Sequence, residues 1–216
     1  MIRKEHKEQG KNDLEDTIDT QCGRLIIVSG PSGAGKSTVV RQLLKECPLP
    51  LASSISATTR KPRDGEIDGI DYFFIDEARF LAMRDRGMFL ECKQNFGMQH
   101  WYGTLKEQVA AGLNAGKWLI LEIDVQGAME VLEHPEFDPI TIFIHPGGMD
   151  ELERRLRARG TETEESLTAR LETAAAEMRY LSRYRYEVIN ESVPAAVAEI
   201  CQILVQTKEL KECSKS

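Results

Sequence analysis

The stretch Arg24-Leu25-Ile26-Ile27-Val28-Ser29-Gly30-Pro31-Ser32-Gly33-Ala34-Gly35-Lys36-Ser37-Thr38 decides how the chain is read. Leu25 to Val28 is an unbroken apolar run, the mark of a strand buried on both faces of a parallel sheet. A glycine-rich turn follows, then a predicted helix over 36–46, which Pro48 and Pro50 end. Gly30 to Ser37 fits G-x-x-x-x-G-K-[ST] in the strand–loop–helix context that this pattern requires. Its glycines let backbone N–H groups turn inward around phosphate oxygens, and the helix N-terminus adds the positive end of its dipole. Ser32, Gly33, Ala34, Gly35, Lys36, Ser37 and Thr38 form the expected cradle. Lys36 is placed to reach the β- and γ-phosphates, and the Ser37 hydroxyl to ligate Mg²⁺. The pattern implies nucleotide phosphate binding without saying what is done with the phosphate.

Outward from the loop, strands alternate with helices. Strands are predicted near 53–57 and over 71–75, 88–92, 118–123, 140–144 and 186–189. Helices are predicted over 76–86, 104–115, 126–132 and 150–158, then from 161 to about 182 and from Ser192 onward. Thr104 with Glu107 and Thr161 with Glu164 fit the T-x-x-E capping box. The alternation indicates an α/β fold: a P-loop core with a parallel sheet flanked by helices. Short β segments cluster over 53–103, as expected of a small mixed lobe inserted into that fold.

The chain has 216 residues, 41% of them hydrophobic, with 28 Lys plus Arg against 35 Asp plus Glu and a net charge of −7. That size suits one domain with small attached lobes, and the composition argues against general disorder. The acidic balance argues against a general nucleic-acid binder. No segment approaches the apolar length that spans a bilayer, and the charged N-terminus is followed by no apolar stretch of a secretory signal. Five scattered cysteines without a C-x-x-C pair suit a reducing compartment, so a cytoplasmic location is expected. Residues 1–22 are expected to be a disordered arm.

Three further groups carry chemistry. Arg60 and Arg63 follow a strand, joined through Pro62, with the Ser56 and Tyr72 hydroxyls near. Their planar forks suit a monophosphate, and a solvated basic loop is the competing reading. Glu122 and Asp124 end an apolar strand; two apart, they are expected to share a face and to organise Mg²⁺, its waters or an acceptor. Arg155 and Arg159 share a helical face, with Arg170 on the next helix. A lid of two helices and a salt-bridged surface both fit them, since Glu151 and Glu153 lie alongside.

Taken together, these residues resemble the guanylate kinase family. The resemblance runs from about Gly23 to Lys208. It is carried by the glycine loop, Ser56-x-Thr-Thr-Arg60-x-Pro-Arg63, Gly69-x-Asp-Tyr72-x-Phe, Phe89-Leu-Glu91, Tyr102-Gly-Thr104, Ile123-Asp124-x-Gln-Gly127 and the arginines from Arg155 to Arg170. It implies a domain over 23–208 with a core at 23–52, 104–148 and 184–208, a GMP-binding lobe at 53–103 and a helical lid at 149–183, then a tail at 209–216. It implies that Ser56, Arg60, Arg63, Tyr72 and Tyr102 hold the GMP phosphate. It implies that Glu91, Thr104 and Asp124 read the guanine edge. Lys36, Arg63, Arg159 and Arg170 resemble the family's catalytic cations, with Arg155 assisting, and Asn190 and Glu191 match the region that meets the ATP adenine.

Glu122 stands where some members have Asp, and the segment 97–102 is longer than the family's pattern. The activity implied is phosphorylation of GMP and dGMP by ATP with Mg²⁺, by a monomer or homodimer whose lid closes on both nucleotides. The rival readings are a non-catalytic protein-binding module of the same fold and a P-loop kinase with another phosphorylated acceptor.

Overall fold

The computed structural model describes residues 23–95, 100–134, 136–158 and 163–213. The expected arm at 1–22 and the expected catalytic Arg159 lie outside them. The apolar run forms β1 (Arg24–Ser29) at the centre of a five-stranded parallel sheet. Its neighbours are β7 (Trp118–Glu122) and β8 (Ile140–His145), flanked in turn by β2 (Leu51–Ser53) and β9 (Tyr186–Ile189), in the order β2-β7-β1-β8-β9. Because side chains alternate across a strand, β1 feeds two cores. Ile26 and Val28 pack with α1 (Lys36–Glu46) and α7 (Val193–Cys213) through Val39, Leu43, Ile200 and Leu204. Leu25 and Ile27 pack with α3 (Lys106–Asn114) and α4 (Val125–Leu132) through Val109, Leu113 and Val131. At roughly 1.5–3 kcal/mol per fully buried large aliphatic side chain, these layers hold β1 rigidly behind its loop.

A second sheet, β4-β3-β6-β5, is built from β3 (Ala57–Thr58), β4 (Phe73–Phe74), β5 (Phe89–Asn95) and β6 (His100–Leu105). β5 and β6 pair antiparallel, and α2 (Glu77–Asp85) covers them with Phe80 stacked 4.4 Å from Phe89. After β8, α5 (Met149–Ala158) and α6 (Glu164–Met178) pack together over Leu152, Leu156, Leu167 and Ala174.

Several local expectations are corrected. The strand expected near 53–57 is two: Leu51–Ser53 joins the parallel sheet and Ala57–Thr58 the second one. Thr104 caps no helix; it lies in β6, Leu105 occupies the N-cap position, and the Thr104 hydroxyl is spent on Glu91. Helix α6 is capped by Thr163, whose side chain accepts from Ser166 N; Thr161, the expected cap, lies outside the described residues. It ends at Met178, and a separate 3₁₀ turn spans Leu181–Arg183.

Candidate active site

The loop between β1 and α1 sits at the carboxyl edge of the parallel sheet, beside the point where chain order reverses around β1, the usual place for a ligand in such folds. Gly30 has φ +139°, and a Cβ there would lie 1.9 Å from Ile144 O of β8. Only glycine lets the loop leave the sheet at that angle. Gly35 (φ +86°) abuts Asn190, whose side-chain Nδ2 donates to Ala34 O at 2.7 Å. Asn190 is buried, so its amide braces the loop from behind while Glu191 remains exposed. Gly33, Gly35, Thr38, Arg155, Asn190 and Glu191 line one open cleft of about 410 Å³.

Inside the loop, Lys36 Nζ donates to Gly30 O at 2.6 Å and Pro31 O at 3.0 Å. An ammonium has three donors, so one remains. Burial lowers the Lys36 pKa, against the opposing pull of Glu177 and Glu122. Ser37 Oγ donates to Glu122 Oε1 at 2.5 Å. Ser32, Ser37 and Thr38 are exposed.

Glu122 and Asp124 do not share a face of one strand, because β7 ends at Glu122. Asp124 caps α4 instead, accepting from Gly127 N at 2.8 Å, and its other oxygen pairs with Lys93 of β5. That pair ties the second sheet to the first. Two residues back on β5, buried Glu91 accepts from Thr104 Oγ1 at 2.6 Å. Desolvation pushes the Glu91 carboxyl above the usual carboxylate range.

The other arginine group is built on β3 and β4. Arg60 is buried, its fork held by Glu66 at 2.8 and 2.9 Å, with the Tyr72 ring 5.4 Å from its guanidinium carbon. Glu66 also accepts from Arg63 N, and these bonds, the Arg60 side chain first, hold its pKa down at about 2. Tyr102 stands edge-on to Tyr72 at 6.0 Å. The Arg63 side chain is exposed, and Ser56 is half-buried beside β4, its backbone carbonyl accepting from Phe73 N.

On α5, Arg155 Nε donates to Glu151 at 2.7 Å and its other arm to Asn190 O at 2.8 Å, joining the helix pair to the loop's brace. Arg157 bridges Glu153 on α5 and Glu164 on α6. Salt-bridging and orientation toward the loop therefore occur on the same helix. Arg170 is half-buried on α6.

Sequence reasoning missed Lys93, Glu66 and Glu177. Lys93 was legible as the residue two along from Glu91 on one strand. Glu177 was legible as an acid on the apolar stripe of Leu167, Leu171 and Ala174.

Residues 22–207 match the family model described as guanylate kinase. The chain belongs to the guanylate kinase family. The curated guanylate kinase of Rhodopirellula baltica is 68% identical over 194 residues, covering 90% of this chain and 93% of that protein. That of Caldanaerobacter subterraneus subsp. tengcongensis is 47% identical over 188 residues, covering 86% and 88%. The crystal structure of guanylate kinase from Anaplasma phagocytophilum has a TM-score of 0.68 at 31% identity, covering 89% of each chain. The family's fold, a parallel sheet flanked by helices, is the one described above.

Proposed function

We propose that this chain transfers the terminal phosphoryl group of ATP to GMP, with dGMP as a second acceptor, giving ADP and the nucleoside diphosphate. Family membership supports the reaction. The observation that carries the choice of base is the buried Glu91–Thr104 pair. A carboxylate accepts from guanine N1–H and N2–H₂, donors that adenine lacks; the Thr104 hydroxyl, which donates to Glu91 here, would turn its single O–H to O6 when guanine binds. Another base leaves these groups unpaired and desolvated, which discriminates strongly. Asp124, next to this pair through the Lys93 bridge, is the third guanine-facing candidate.

In this reading Ser56, Arg60, Arg63, Tyr72 and Tyr102 take the GMP phosphate. Glu66 presets the Arg60 fork, so less order is lost when phosphate binds. The residues from Ser32 to Thr38 hold the ATP phosphates, Lys36 supplying its remaining donor, and Asn190 with Glu191 borders the adenine cleft. Arg63, Arg155, Arg159 and Arg170 neutralise charge spread over the transferring group, while alignment of the two nucleotides supplies the rest. The acceptor is already an anionic oxygen, so no general base is needed.

Among the described residues no three His, Cys, Asp or Glu side chains cluster as a metal cage. Mg²⁺ needs no such cage, since it keeps several waters and takes phosphates plus one or two protein oxygens. The Ser37 hydroxyl and Glu122 carboxylate, in contact beside the cradle, fit that requirement. Bound there, the ion would neutralise phosphate charge; Ser37 would ligate it and Glu122 orient its waters.

No helix among the described residues is long and apolar enough to cross a membrane, and we propose that the enzyme works in the cytoplasm as a monomer or homodimer. Closure of the helix pair α5–α6 over both nucleotides, excluding water, completes the proposal; small-angle scattering should show a smaller particle with both bound. The deciding experiment is a coupled ADP-release assay across GMP, dGMP, AMP, CMP and UMP, with Lys36→Ala as control. Turnover confined to GMP and dGMP, and abolished in the variant, is expected. Comparable turnover of AMP or UMP refutes the guanine assignment, and none with any monophosphate refutes the catalytic reading.

A further inference from the structure

Cys47 and Cys201 are 154 positions apart in the chain, yet their sulfurs lie 2.9 Å apart, the Cys201 thiol donating to Cys47 Sγ. Cys47 is the C-cap residue of α1, its N–H bonded to Leu43 O, and Cys201 is on α7. Both pack into the apolar cluster around Ile26, Val28, Leu43 and Ile200. Cys47 is 8% exposed, whereas Cys201 is partly open to solvent. The two thiols are therefore unequal: one is reachable from outside, and the other stands directly against it. A buried thiol can serve simply as a small apolar group. Contact between two of them goes further, because closing the gap to a disulfide of roughly 2.05 Å asks for only about 0.9 Å of movement.

We infer that Cys47 and Cys201 form an oxidation site, at which a peroxide converts the pair to a disulfide that staples α1, the helix behind the phosphate loop, to α7. The Cys201 thiolate attacks one peroxide oxygen, the O–O bond breaks, and a sulfenic acid and hydroxide form. The Cys47 sulfur then attacks the sulfenic sulfur and expels a second hydroxide. The two hydroxides take up the two thiol protons, so two thiols and one hydrogen peroxide give one disulfide and two waters. Burial, and after it the bond to Cys47, pushes the Cys201 thiol up to about 11. Little thiolate exists near neutrality, so the pair stays reduced until an oxidant persists. In a reducing compartment the bond is transient, undone by thiol exchange once the oxidant is gone. While it lasts it closes a long loop and removes freedom from the unfolded chain, an effect that grows with loop length. Along the 11 residues of α1, Cys47 lies about 16 Å from Lys36. The staple therefore firms the core without touching the phosphate cradle, whichever monophosphate is the acceptor.

In the test, the full chain is treated with hydrogen peroxide, free thiols are blocked with iodoacetamide, and tryptic peptides are mapped by mass spectrometry. Peptides 46–60 and 186–208, which carry Cys47 and Cys201, are expected as a linked pair that dithiothreitol separates. That pair should predominate over any containing Cys22, Cys92 or Cys213. The bridged protein should melt about 5–15 °C above the reduced one, with GMP-dependent ADP release unchanged. Cys201→Ser should show neither the link nor the gain. Because Cys201 attacks as the thiolate, bridging should run about tenfold faster at pH 8 than at pH 7. Oxidation of Cys201 to the sulfinic acid without a linked pair, or random pairing among the five cysteines, overturns the inference. So does a bridged protein that melts no higher than the reduced one, or that loses turnover on bridging. The same melting gain in Cys201→Ser also overturns it, and a bridging rate that is flat with pH overturns the choice of Cys201 as the attacking sulfur.

Discussion

Asn190 at the end of β9 and Ala34 in the phosphate loop, 156 positions apart, are joined by a 2.7 Å hydrogen bond from a buried side-chain amide to a buried backbone carbonyl. Through Asn190 O the same residue also receives Arg155 of α5. Asn190 therefore acts as a brace, coupling the sheet, the loop and the helix pair. Asn190→Ala leaves Ala34 O buried and unsatisfied, which should cost about 1–3 kcal/mol of stability. A lowered melting temperature together with a raised KM for ATP, and little change in KM for GMP, is the expected result in thermal denaturation and steady-state assays.

Glu91 sets function against stability. Its folded-state pKa is raised by burial, so the folded protein binds a proton more readily than the unfolded chain. Its contribution to stability is full below the unfolded carboxylate value and is lost as pH rises through the elevated folded value. Glu91→Gln removes that titration while still accepting from Thr104. At neutral pH the variant should melt at the same temperature as wild type or higher. Its kcat/KM for GMP should fall roughly 10- to 150-fold, the worth of a charged hydrogen bond of about 1.5–3 kcal/mol. A variant that melts early and keeps its GMP preference would contradict both halves.

The Ser37–Glu122 contact is exposed, so it contributes little to folding. Glu122→Gln should leave the melting temperature nearly unchanged and raise the Mg²⁺ concentration for half-maximal rate about 10- to 100-fold, as for other groups that orient a metal's ligands. Ser37→Ala should do the same or more. Titrating the rate with Mg²⁺ at fixed ATP checks this.

Glu66 behaves oppositely to Glu91. Its pKa is held at about 2, chiefly by the Arg60 side chain and then by Arg63 N. The stabilisation is present above the ordinary carboxylate value and lost as pH falls from there toward 2. Melting curves between pH 5 and pH 2 should therefore show a shallower acid decline in Glu66→Gln than in wild type. At neutral pH that variant should bind GMP more weakly, because the Arg60 fork loses its preset geometry.

The parts of this molecule written in local pattern were readable without coordinates. Leu25–Val28 next to Gly30-x-x-x-x-Gly35-Lys36-Ser37 specifies strand, turn and helix within a few residues, because burial on both faces and left-handed glycines leave few alternatives. The misreadings fall where a distant partner outbid a local signal. Thr104 carries a capping-box pattern, yet its hydroxyl serves Glu91 across the β5–β6 ladder. The two-residue strands β3 and β4 are too short for periodicity to register and exist only through their pairing. Glu122 and Asp124 follow the strand rule only as far as the strand continues, and Asp124 lies past its end. Glu66 and Glu177 find their partners through folding alone. No sequence spacing announces that a carboxylate on α6 will bear on the Lys36 ammonium of the phosphate loop.

The central place of β1 bears on how the protein is born. Its partners β7 and β8 lie far downstream, and the residue that braces its loop comes later still. Such long-range pairing makes for slow folding and for a vulnerable intermediate. A ribosome that has delivered the chain only as far as β6 has therefore delivered a glycine loop without a seat. The loop is braced only once Asn190 has emerged, 156 positions after Ala34.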